Sequence, residues 1–516
     1  MPALIYLCPT THNIFQFLAG STTIMASTHV PSLPVELVTR IMELVDSDAT
    51  LKSASEASKA FNAIATPQLF RRLDLDAESA SIRQVTTLLL RKPELANYVK
   101  HFSIRGAFSD GPYKAEDESP TLKEALKEAT EGDDALAQEI KEAVAHDAHG
   151  DEEHAKWLRR AKYDDGLLAI LLPRLPQLET VDLEIPIFPT YVHRMLSRMA
   201  KKEKPFDNIL KEAFQHLRSV LWAHDDNKYG GEINANLLLL PAIKNVYLHR
   251  IASGDTEADE ELARIEPGTS TVEYLEFMDC RFNDEDVKAF LSTPKELRSF
   301  IYEIGWGHLS YCSVSFPALS EALERHKDTL EDLWIDYGFD GIEWQDGSDD
   351  SSPMNSFAEF SKLKRIRIAP DFVFGANLPE EAEVSVERRR RLVDFLPPTV
   401  ESLYITHGDE HDELLYAAIE VLLHEQVVKF PNLKELKLDT TLPKAKEDGD
   451  RLAAILALAD SFEVLFTLLN SWGDNKYGKY DDREERKWGF DEDVSWRETG
   501  SYCHQQPVYE VIEIQH

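Results

Sequence analysis

One short pattern recurs along most of the chain, with apolar residues at its first, fourth and sixth positions. A typical copy is Leu330-Glu-Asp-Leu333-Trp-Ile335. The eleven copies begin, in chain order, at Phe70, Val99, Leu178, Leu217, Ile243, Val272, Leu297, Leu330, Leu363, Val400 and Leu433. Side chains of a strand alternate between the two faces of a sheet, so positions 4 and 6 share one face. Each copy is therefore predicted to form a strand, with position 1 entering from a turn and pointing to the same interior.

The copies follow one another at irregular spacing, 25 to 39 residues apart from Leu178 onward. Segments with helical periodicity fill several of the gaps, for example residues 287–291, 319–327 and 389–395. A single strand–turn–helix unit cannot bury its apolar face alone, so the units are predicted to stack. This arrangement resembles a divergent leucine-rich repeat, which implies an α/β solenoid of horseshoe form. A two-layer α/β domain with parallel strands is the alternative.

The interval between the copies at Val99 and Leu178 is too long for one repeat. Residues 110–154 carry 15 acidic and four basic side chains. Leu122 and Leu126 fall at helical spacing within it and, after an interruption at residues 132–134, Leu136 and Ile140 resume that spacing. Residues 107–165 are therefore predicted to be an acidic helical insertion, either a solvated surface or a binding surface.

The whole chain is acidic, with 92 Asp and Glu against 56 Lys and Arg and a formal net charge of −36. Proteins that bind nucleic-acid backbones or anionic membranes need a basic face, so neither partner is expected. A basic protein substrate is the partner that this charge favours. Four cysteines lie far apart without any Cys-x-x-Cys pair, which indicates a reducing cytoplasm or nucleus.

Motifs for catalysis are missing from the sequence. It contains neither a glycine-rich nucleotide loop, nor a nucleophile elbow, nor the His-Glu-x-x-His spacing of zinc proteases. His146, His149 and His154 lie among carboxylates, as do His407 and His411, but their spacing matches no defined metal site. We therefore predict no catalytic residues, no metal and no cofactor.

Residues 33–70 differ from everything that follows. Pro34 suits the first turn of a helix, and Leu37, Ile41, Leu44 and Val45 form an apolar stripe at helical spacing. Two further helices are predicted, of which the last follows the capping residue Ser58 and is stopped by Pro67.

The order Leu33-Pro34, Ser58-Lys59-x-Phe61 and Pro67-x-Leu69-Phe70 resembles an F-box motif. The resemblance implies a three-helix module that docks on a Skp-type adaptor within a Skp–cullin–F-box (SCF) ubiquitin ligase, while the repeats recruit a protein substrate. The implied adaptor-facing residues are Leu33, Pro34, Leu37 and Ile41, with Leu51 nearby. Joined to the repeats, the module resembles the F-box and leucine-rich-repeat proteins of filamentous fungi. The alternative is a non-catalytic interaction scaffold whose N-terminal helices only cap the solenoid.

These patterns divide the chain into four parts. Residues 1–28 are predicted to be disordered or an upstream extension, and residues 29–70 an F-box-like module. Residues 70–470 are predicted to form the solenoid, and residues 471–516 an acidic tail or C-terminal cap. In that last part Val508, Ile512 and Ile514 share one face of a predicted edge strand, although Glu510 lies on the same face.

Three aromatic residues are candidates for substrate contact. Tyr229 and Tyr477 lie in two copies of Asp-Asn-Lys-Tyr-Gly, which is a turn composition and places them on loops. Trp334 occupies position 5 of its strand and is predicted to face outward. Trp222 and Tyr302, at position 6, are predicted to lie in the core.

Overall fold

The computed structural model describes residues 33–45, 47–76, 81–105, 165–185, 190–201, 213–224, 230–254, 261–305, 309–310, 312–337, 352–375, 385–407, 412–440, 446–470 and 510–511. The α-helices are α1 (Val35–Glu43), α2 (Asp48–Ala57), α3 (Lys59–Leu69), α4 (Ser81–Arg91), α5 (Pro93–Ala96), α6 (Asp165–Leu171), α7 (Thr190–Ala200), α8 (Asp284–Ser292), α9 (Phe316–Leu323), α10 (Pro370–Phe374), α11 (Val386–Phe395), α12 (Asp412–Lys429) and α13 (Lys446–Ser461). The strands are β1 (Arg72–Asp76), β2 (His101–Arg105), β3 (Thr180–Ile185), β4 (Ser219–His224), β5 (Asn245–His249), β6 (Tyr274–Cys280), β7 (Ser299–Ile304), β8 (Asp332–Tyr337), β9 (Arg365–Ile368), β10 (Ser402–Ile405), β11 (Glu435–Asp439), β12 (Leu465–Asn470) and β13 (Glu510–Val511).

The chain divides into two compact units, residues 1–182 with 190–217 and residues 183–189 with 218–516. In the first unit, α1 to α3 precede β1, and β1 pairs with β2 in parallel. In the second unit, β4 to β12 are parallel neighbours in chain order, and β13 pairs antiparallel with the end of β12. The predicted domain boundaries are not tested by this division and stay predictions.

Each copy of the repeated pattern forms a strand that begins at its third position. Equivalent positions stand opposite one another, so that Leu333 of β8 pairs with Phe300 of β7 and with Ile366 of β9. Position 1 is buried in every copy from Val99 onward, as at Leu297 and Leu330, and is partly buried at Phe70. Each such side chain contributes roughly 1.5–3 kcal/mol by leaving water. The predicted α/β solenoid is confirmed.

Helices cover the face that carries positions 4 and 6. Phe277 lies on β6 at position 6 of the pattern, and its ring centroid is 5.0 Å from that of Phe290 on α8. Trp222 and Tyr302 are fully buried on this face, as predicted from their position in the pattern. Cys280, at the end of β6, is also buried.

A buried histidine links successive repeats of the second unit. His326 ends the short 3₁₀ turn after α9, and its Nε2 donates a hydrogen bond to the Leu291 carbonyl oxygen at 2.6 Å. The Leu297 N–H approaches Nδ1 at 3.5 Å, which requires that nitrogen to be unprotonated. Burial lowers the pKa of His326, opposed by the Leu291 carbonyl and assisted by Arg325.

We expect the chain to lose thermal stability as the pH falls below 6.5. The unfolded chain takes up a proton at His326 near pH 6.5, whereas the folded chain resists it down to its lowered pKa. The stability conferred by a neutral His326 is therefore present above pH 6.5 and lost as the pH falls through the folded pKa. Melting curves between pH 7.5 and 5.0 test this.

The variant His326→Gln should show a weaker decline over that pH range, because glutamine retains a donor and an acceptor but does not titrate. His424→Gln, at an exposed position on α12, is the matched control and should follow the wild type. Equal declines in the wild type and His326→Gln would contradict the assignment.

Within the described residues, no helix combines the length and the apolar character needed to cross a membrane.

Candidate functional site

Helix α1 presents apolar residues on two sides. Val38 and Met42 point into the three-helix module, where Met42 packs with Leu51, Ala54 and Ala65. The opposite side is exposed to solvent: the exposed fractions of Leu37 and Ile41 are 52% and 49%. Leu37, Ile41, Leu44 and Val45 were predicted to form one apolar stripe, but Val45 packs against the core of the module together with Val38, and the inner residues Val38 and Met42 were not predicted. The outer stripe is thus not needed to build the module.

Leu33 and Leu44 extend the exposed stripe at the two ends of α1, and Pro34 is exposed beside Leu33. Leu51 differs from these residues. Its side chain is 4% exposed and belongs to the core of the module. The expectation that Leu51 contributes to an adaptor surface is therefore replaced by a packing role.

Short polar side chains fix the ends of the next two helices. Ser47 accepts a hydrogen bond from the Thr50 N–H at the start of α2, and Ser58 accepts one from the Phe61 N–H at the start of α3. Such caps each stabilise a helix by about 0.5–2 kcal/mol. Pro67 lies inside α3 and does not end it, because the helix continues to Leu69. The predicted stop at Pro67 is wrong by two residues.

A second candidate surface is the sheet face that carries positions 3, 5 and 7 of the pattern, which we call the position-5 face. In the second unit its central row begins with Leu221, Tyr247, Glu276, Ile301 and Trp334 on successive strands. All five side chains are buried. Trp334 is only 4% exposed. The prediction that Trp334 faces outward holds for the sheet face but is wrong for solvent exposure.

Four of the five side chains of the buried row, all except Glu276, belong to an apolar cluster whose described members all come from strands. Met278 of β6 joins Leu221, Tyr247, Ile301 and Trp334 in this cluster. Tyr274 packs against it. The hydroxyl of Tyr274 donates a hydrogen bond to the buried carboxylate of Glu276, so the acidic member of the row has a polar partner. Burial and the neighbouring Glu276 raise the pKa of Tyr274.

The next residue of the row, on β9, is Arg367, whose guanidinium stacks on two aromatic rings. The Arg367 guanidinium of β9 lies 3.8 Å from the Trp334 ring centroid and 4.5 Å from the Tyr404 ring centroid. Sandwiching a guanidinium between two aromatic faces is favourable, by about 0.5–2 kcal/mol per ring. Arg367 also approaches Asp336 on β8, with its Nη2 3.5 Å from Oδ2.

Asp336 is the centre of a buried polar cluster at the carboxyl ends of β8 to β10. Its Oδ1 accepts hydrogen bonds from the Tyr337 N–H at 3.0 Å and from the Thr406 hydroxyl at 3.2 Å. His407 Nε2 lies 3.2 Å from the same oxygen. The His407 ring stacks on Tyr337, whose hydroxyl donates to Asp371 on α10. Burial would raise the pKa of Asp336, but His407, Arg367 and the Tyr337 N–H hold it below its ordinary value.

Exposure changes along the position-5 face. From β4 to β8 the central row is buried, whereas Arg367, Tyr404, Lys437 and Thr467, on β9 to β12, are only partly buried. Lys437 pairs with Glu435 at 3.0 Å, so this part of the face combines aromatic, cationic and anionic groups. A macromolecule approaching the face would therefore reach side chains on β9 to β12 first.

Comparison with known proteins places this architecture in a family. The model of the leucine-rich repeat domain matches residues 79–437. The chain belongs to the leucine-rich repeat domain family. A chain of the crystal structure of the Rad7 and Elc1 complex in yeast is also similar, with 13% sequence identity and a TM-score of 0.30. That similarity covers 80% of this chain and 91% of the other. No curated protein matches the sequence.

The leucine-rich repeats also carry a charge pattern at position 2 that the sequence analysis overlooked. From Lys244 to Lys434 the sign alternates on successive strands: Lys244, Glu273, Arg298, Glu331, Lys364, Glu401, Lys434. Lys244 contacts Glu273 at 2.5 Å, Arg298 contacts Glu331 at 3.0 Å, and Lys364 contacts Glu401 at 3.1 Å. The signal was readable in the sequence, since the strand pattern already aligned these residues.

Position 2 also carries a backbone ladder within the leucine-rich repeats. The Arg218 carbonyl oxygen accepts hydrogen bonds from the N–H groups of Lys244 and Asn245, each at 2.8 Å. The same arrangement recurs at Lys244, whose carbonyl accepts from Glu273 and Tyr274. The ion pairs and these backbone hydrogen bonds thus both involve the residue at position 2, just before each strand begins.

The other candidate residues for substrate contact and for metal binding lie outside the described ranges. They are Tyr229, Tyr477, His146, His149, His154 and His411. Where the structure describes the chain, no group of three or more His, Cys, Asp or Glu side chains is placed to hold a metal ion.

Proposed function

We propose that this leucine-rich repeat protein is the substrate-recognition subunit of an SCF-type ubiquitin ligase. The observation that supports it most is the exposed apolar stripe on α1, formed by Leu33, Leu37, Ile41 and Leu44. A helix that already fills its own core and still exposes such a stripe is suited to docking in an apolar groove of a partner. The F-box-like order of residues indicates that this partner is a Skp-type adaptor.

In this proposal the chain is not itself an enzyme. The adaptor and the cullin core hold the α1 stripe, while the repeats hold a protein substrate near the conjugating enzyme. The chain then contributes proximity, and its partners contribute the transfer chemistry. The site of action is the cytoplasm or the nucleus.

A binding assay between the full-length chain and a purified Skp-type adaptor tests the proposal. We expect the variant Leu37→Asp/Ile41→Asp to weaken binding at least 100-fold, about 2.8 kcal/mol, because both side chains would leave water on docking. Its melting temperature should stay close to that of the wild type, since both residues are exposed.

The matched control is Val427→Asp/Val428→Asp, which introduces the same charges at exposed apolar positions near the end of α12. This control should bind the adaptor like the wild type. The proposal fails if the wild-type chain does not bind the adaptor, or if Leu37→Asp/Ile41→Asp binds equally well.

The scaffold alternative rests on the direct passage from α3 into β1, which begins at Arg72. Under this alternative, α1 to α3 cap the repeats, and deleting residues 33–66 should lower the melting temperature of the repeats. An adaptor-binding module would leave that temperature nearly unchanged.

For the substrate we propose the partly exposed part of the position-5 face, around Tyr404 and Lys437. A photo-reactive amino acid introduced at Tyr404 should cross-link a protein that the same group at Val386, on α11, does not capture. If the charge of the chain assists this contact, capture should fall as salt is raised. Identical captured proteins at the two positions would contradict the assignment.

A further inference from the structure

His407 follows the end of β10 in a backbone conformation that is uncommon for a residue with a side chain. Its φ is 50°, in the left-handed region that glycine favours. Residues persist in such conformations where the surrounding contacts hold them there, and they concentrate at binding and switch sites. The contacts of the His407 side chain are therefore of interest.

Two residues of β8 hold the imidazole ring of His407. The ring stacks on that of Tyr337, with centroids 4.7 Å apart and an angle of 21° between the planes. Its Nε2 lies 3.2 Å from Oδ1 of Asp336. The Asp336 side chain is 6% exposed and the His407 side chain 20% exposed, so the imidazole connects a buried carboxylate to solvent.

The charges near the ring favour a protonated imidazole. Of the described residues, Asp336 and Tyr337 face His407 from β8. Behind them, Arg367 of β9 approaches the other carboxylate oxygen of Asp336, with its Nη2 3.5 Å from Oδ2. Asp371 of α10 accepts a hydrogen bond from the Tyr337 hydroxyl at 2.6 Å. The described part of this cluster thus contains two carboxylates and one guanidinium, and a protonated His407 supplies a second cation.

Arg367 connects this cluster to the partly exposed part of the position-5 face. Its guanidinium lies 4.5 Å from the ring centroid of Tyr404 on β10. Since one oxygen of Asp336 faces His407 and the other faces Arg367, the charge of the imidazole alters the electrostatic balance at the guanidinium. A change of charge at His407 therefore reaches Tyr404 through a chain of direct contacts.

We propose that His407 is a pH-sensitive switch for the part of the position-5 face around Tyr404. A protonated imidazole pairs with Asp336, so the carboxylate is shared between two cations. Histidine ordinarily loses its proton between about pH 5 and 8. Loss of the proton removes a competitor for Asp336 and a charge that repels the guanidinium, so Arg367 moves closer to Asp336 and its stacking on Tyr404 changes. The switch itself is inferred from these contacts alone, whereas an effect on substrate capture at Tyr404 rests on the proposed function.

Fluorine NMR of the full-length chain tests the switch without any partner. Trifluoromethylphenylalanine introduced in place of Tyr404 keeps an aromatic ring beside Arg367 and does not itself titrate. We expect its resonance to shift in a single transition between pH 8.5 and pH 5.0. In His407→Asn that transition should disappear, and asparagine tolerates the left-handed backbone conformation. The matched control, His424→Asn at an exposed position on α12, should keep the transition.

A further variant tests the route through the guanidinium. Arg367→Met, in the chain that carries the fluorinated residue, should also abolish the transition, because the contact between the cluster and the ring is removed. Melting temperatures recorded beside the spectra verify that each variant is folded. The proposal is overturned if the resonance does not move over this pH range, or if the transition persists unchanged in folded His407→Asn or Arg367→Met.

Discussion

Replacing Trp334 by alanine is expected to lower the free energy of unfolding by about 3–5 kcal/mol, the range for deleting a buried aromatic side chain. The ring is buried on the position-5 face and packs beside Ile301 in the apolar cluster. Its removal leaves a cavity, and the Arg367 guanidinium loses one of its two stacking contacts with aromatic rings. Urea denaturation followed by circular dichroism measures the loss.

Trp334→Phe serves as the control, because it keeps an apolar ring in the cluster and should cost clearly less than alanine. A double-mutant cycle with Arg367→Ala isolates the stacking contribution, which we expect at about 0.5–2 kcal/mol. If Trp334→Ala costs less than about 1 kcal/mol, the side chain is not packed as described.

Replacing Asp336 by alanine is expected to cost a similar amount, about 3–5 kcal/mol, because it leaves a charged partner in a buried site. Arg367 loses its carboxylate, and the Thr406 hydroxyl and the Tyr337 N–H lose their acceptor. Chemical denaturation near pH 7 measures the difference. The double variant Asp336→Ala/Arg367→Met should recover part of the loss, since it also removes the partly buried cation that Asp336→Ala leaves without its carboxylate.

The cost of Asp336→Ala should shrink at low pH. The pKa of Asp336 is lowered in the folded chain, so its stabilisation is present above the ordinary value of 3.8 and lost as the pH falls through the folded pKa. Asp336→Asn, which keeps the shape without the charge, should show a flatter pH dependence than the wild type. A cost for Asp336→Ala that is unchanged between pH 6 and pH 3 would show that the carboxylate charge is not what matters.

The strands were predictable because one residue pattern determines both their position and their register. Leu333, Phe300 and Ile366 stand opposite one another since each occupies position 4 of its own copy. Strand β12 fits the pattern less well, because the residue aligned with position 1 is Glu463, which has a positive φ of 58°. The turn before this strand is therefore built differently from its predecessors.

Burial on the position-5 face was not predictable in the same way. Alternation along a strand tells which face Trp334 occupies, but not how closely its neighbours cover it. The cluster around Asp336 was hidden for another reason: it brings together Asp336, Asp371 and Thr406, which are far apart in sequence. Contacts between residues of different repeats follow from their side-chain geometry, which the periodicity does not specify.

Helix α1 shows a limit of amphipathic patterns. The apolar stripe through Leu37 and Ile41 was visible in the sequence, but hydrophobicity alone does not distinguish a stripe that faces a core from one that faces a partner. The exposure of both residues resolves this, since the module core is built by Met42 and Leu51 on the other side.

The alternating charges at position 2 have a consequence for how such a protein can change over generations. Each surface ion pair contributes little, about 0–1 kcal/mol, yet like charges on adjacent strands repel. Losing the single repeat around Glu331 would bring Arg298 beside Lys364. Losing two consecutive repeats, those of Glu331 and Lys364, would instead bring Arg298 beside Glu401 and keep the alternation. Gene rearrangements in this part of the chain should therefore be tolerated best when they add or remove repeats in pairs.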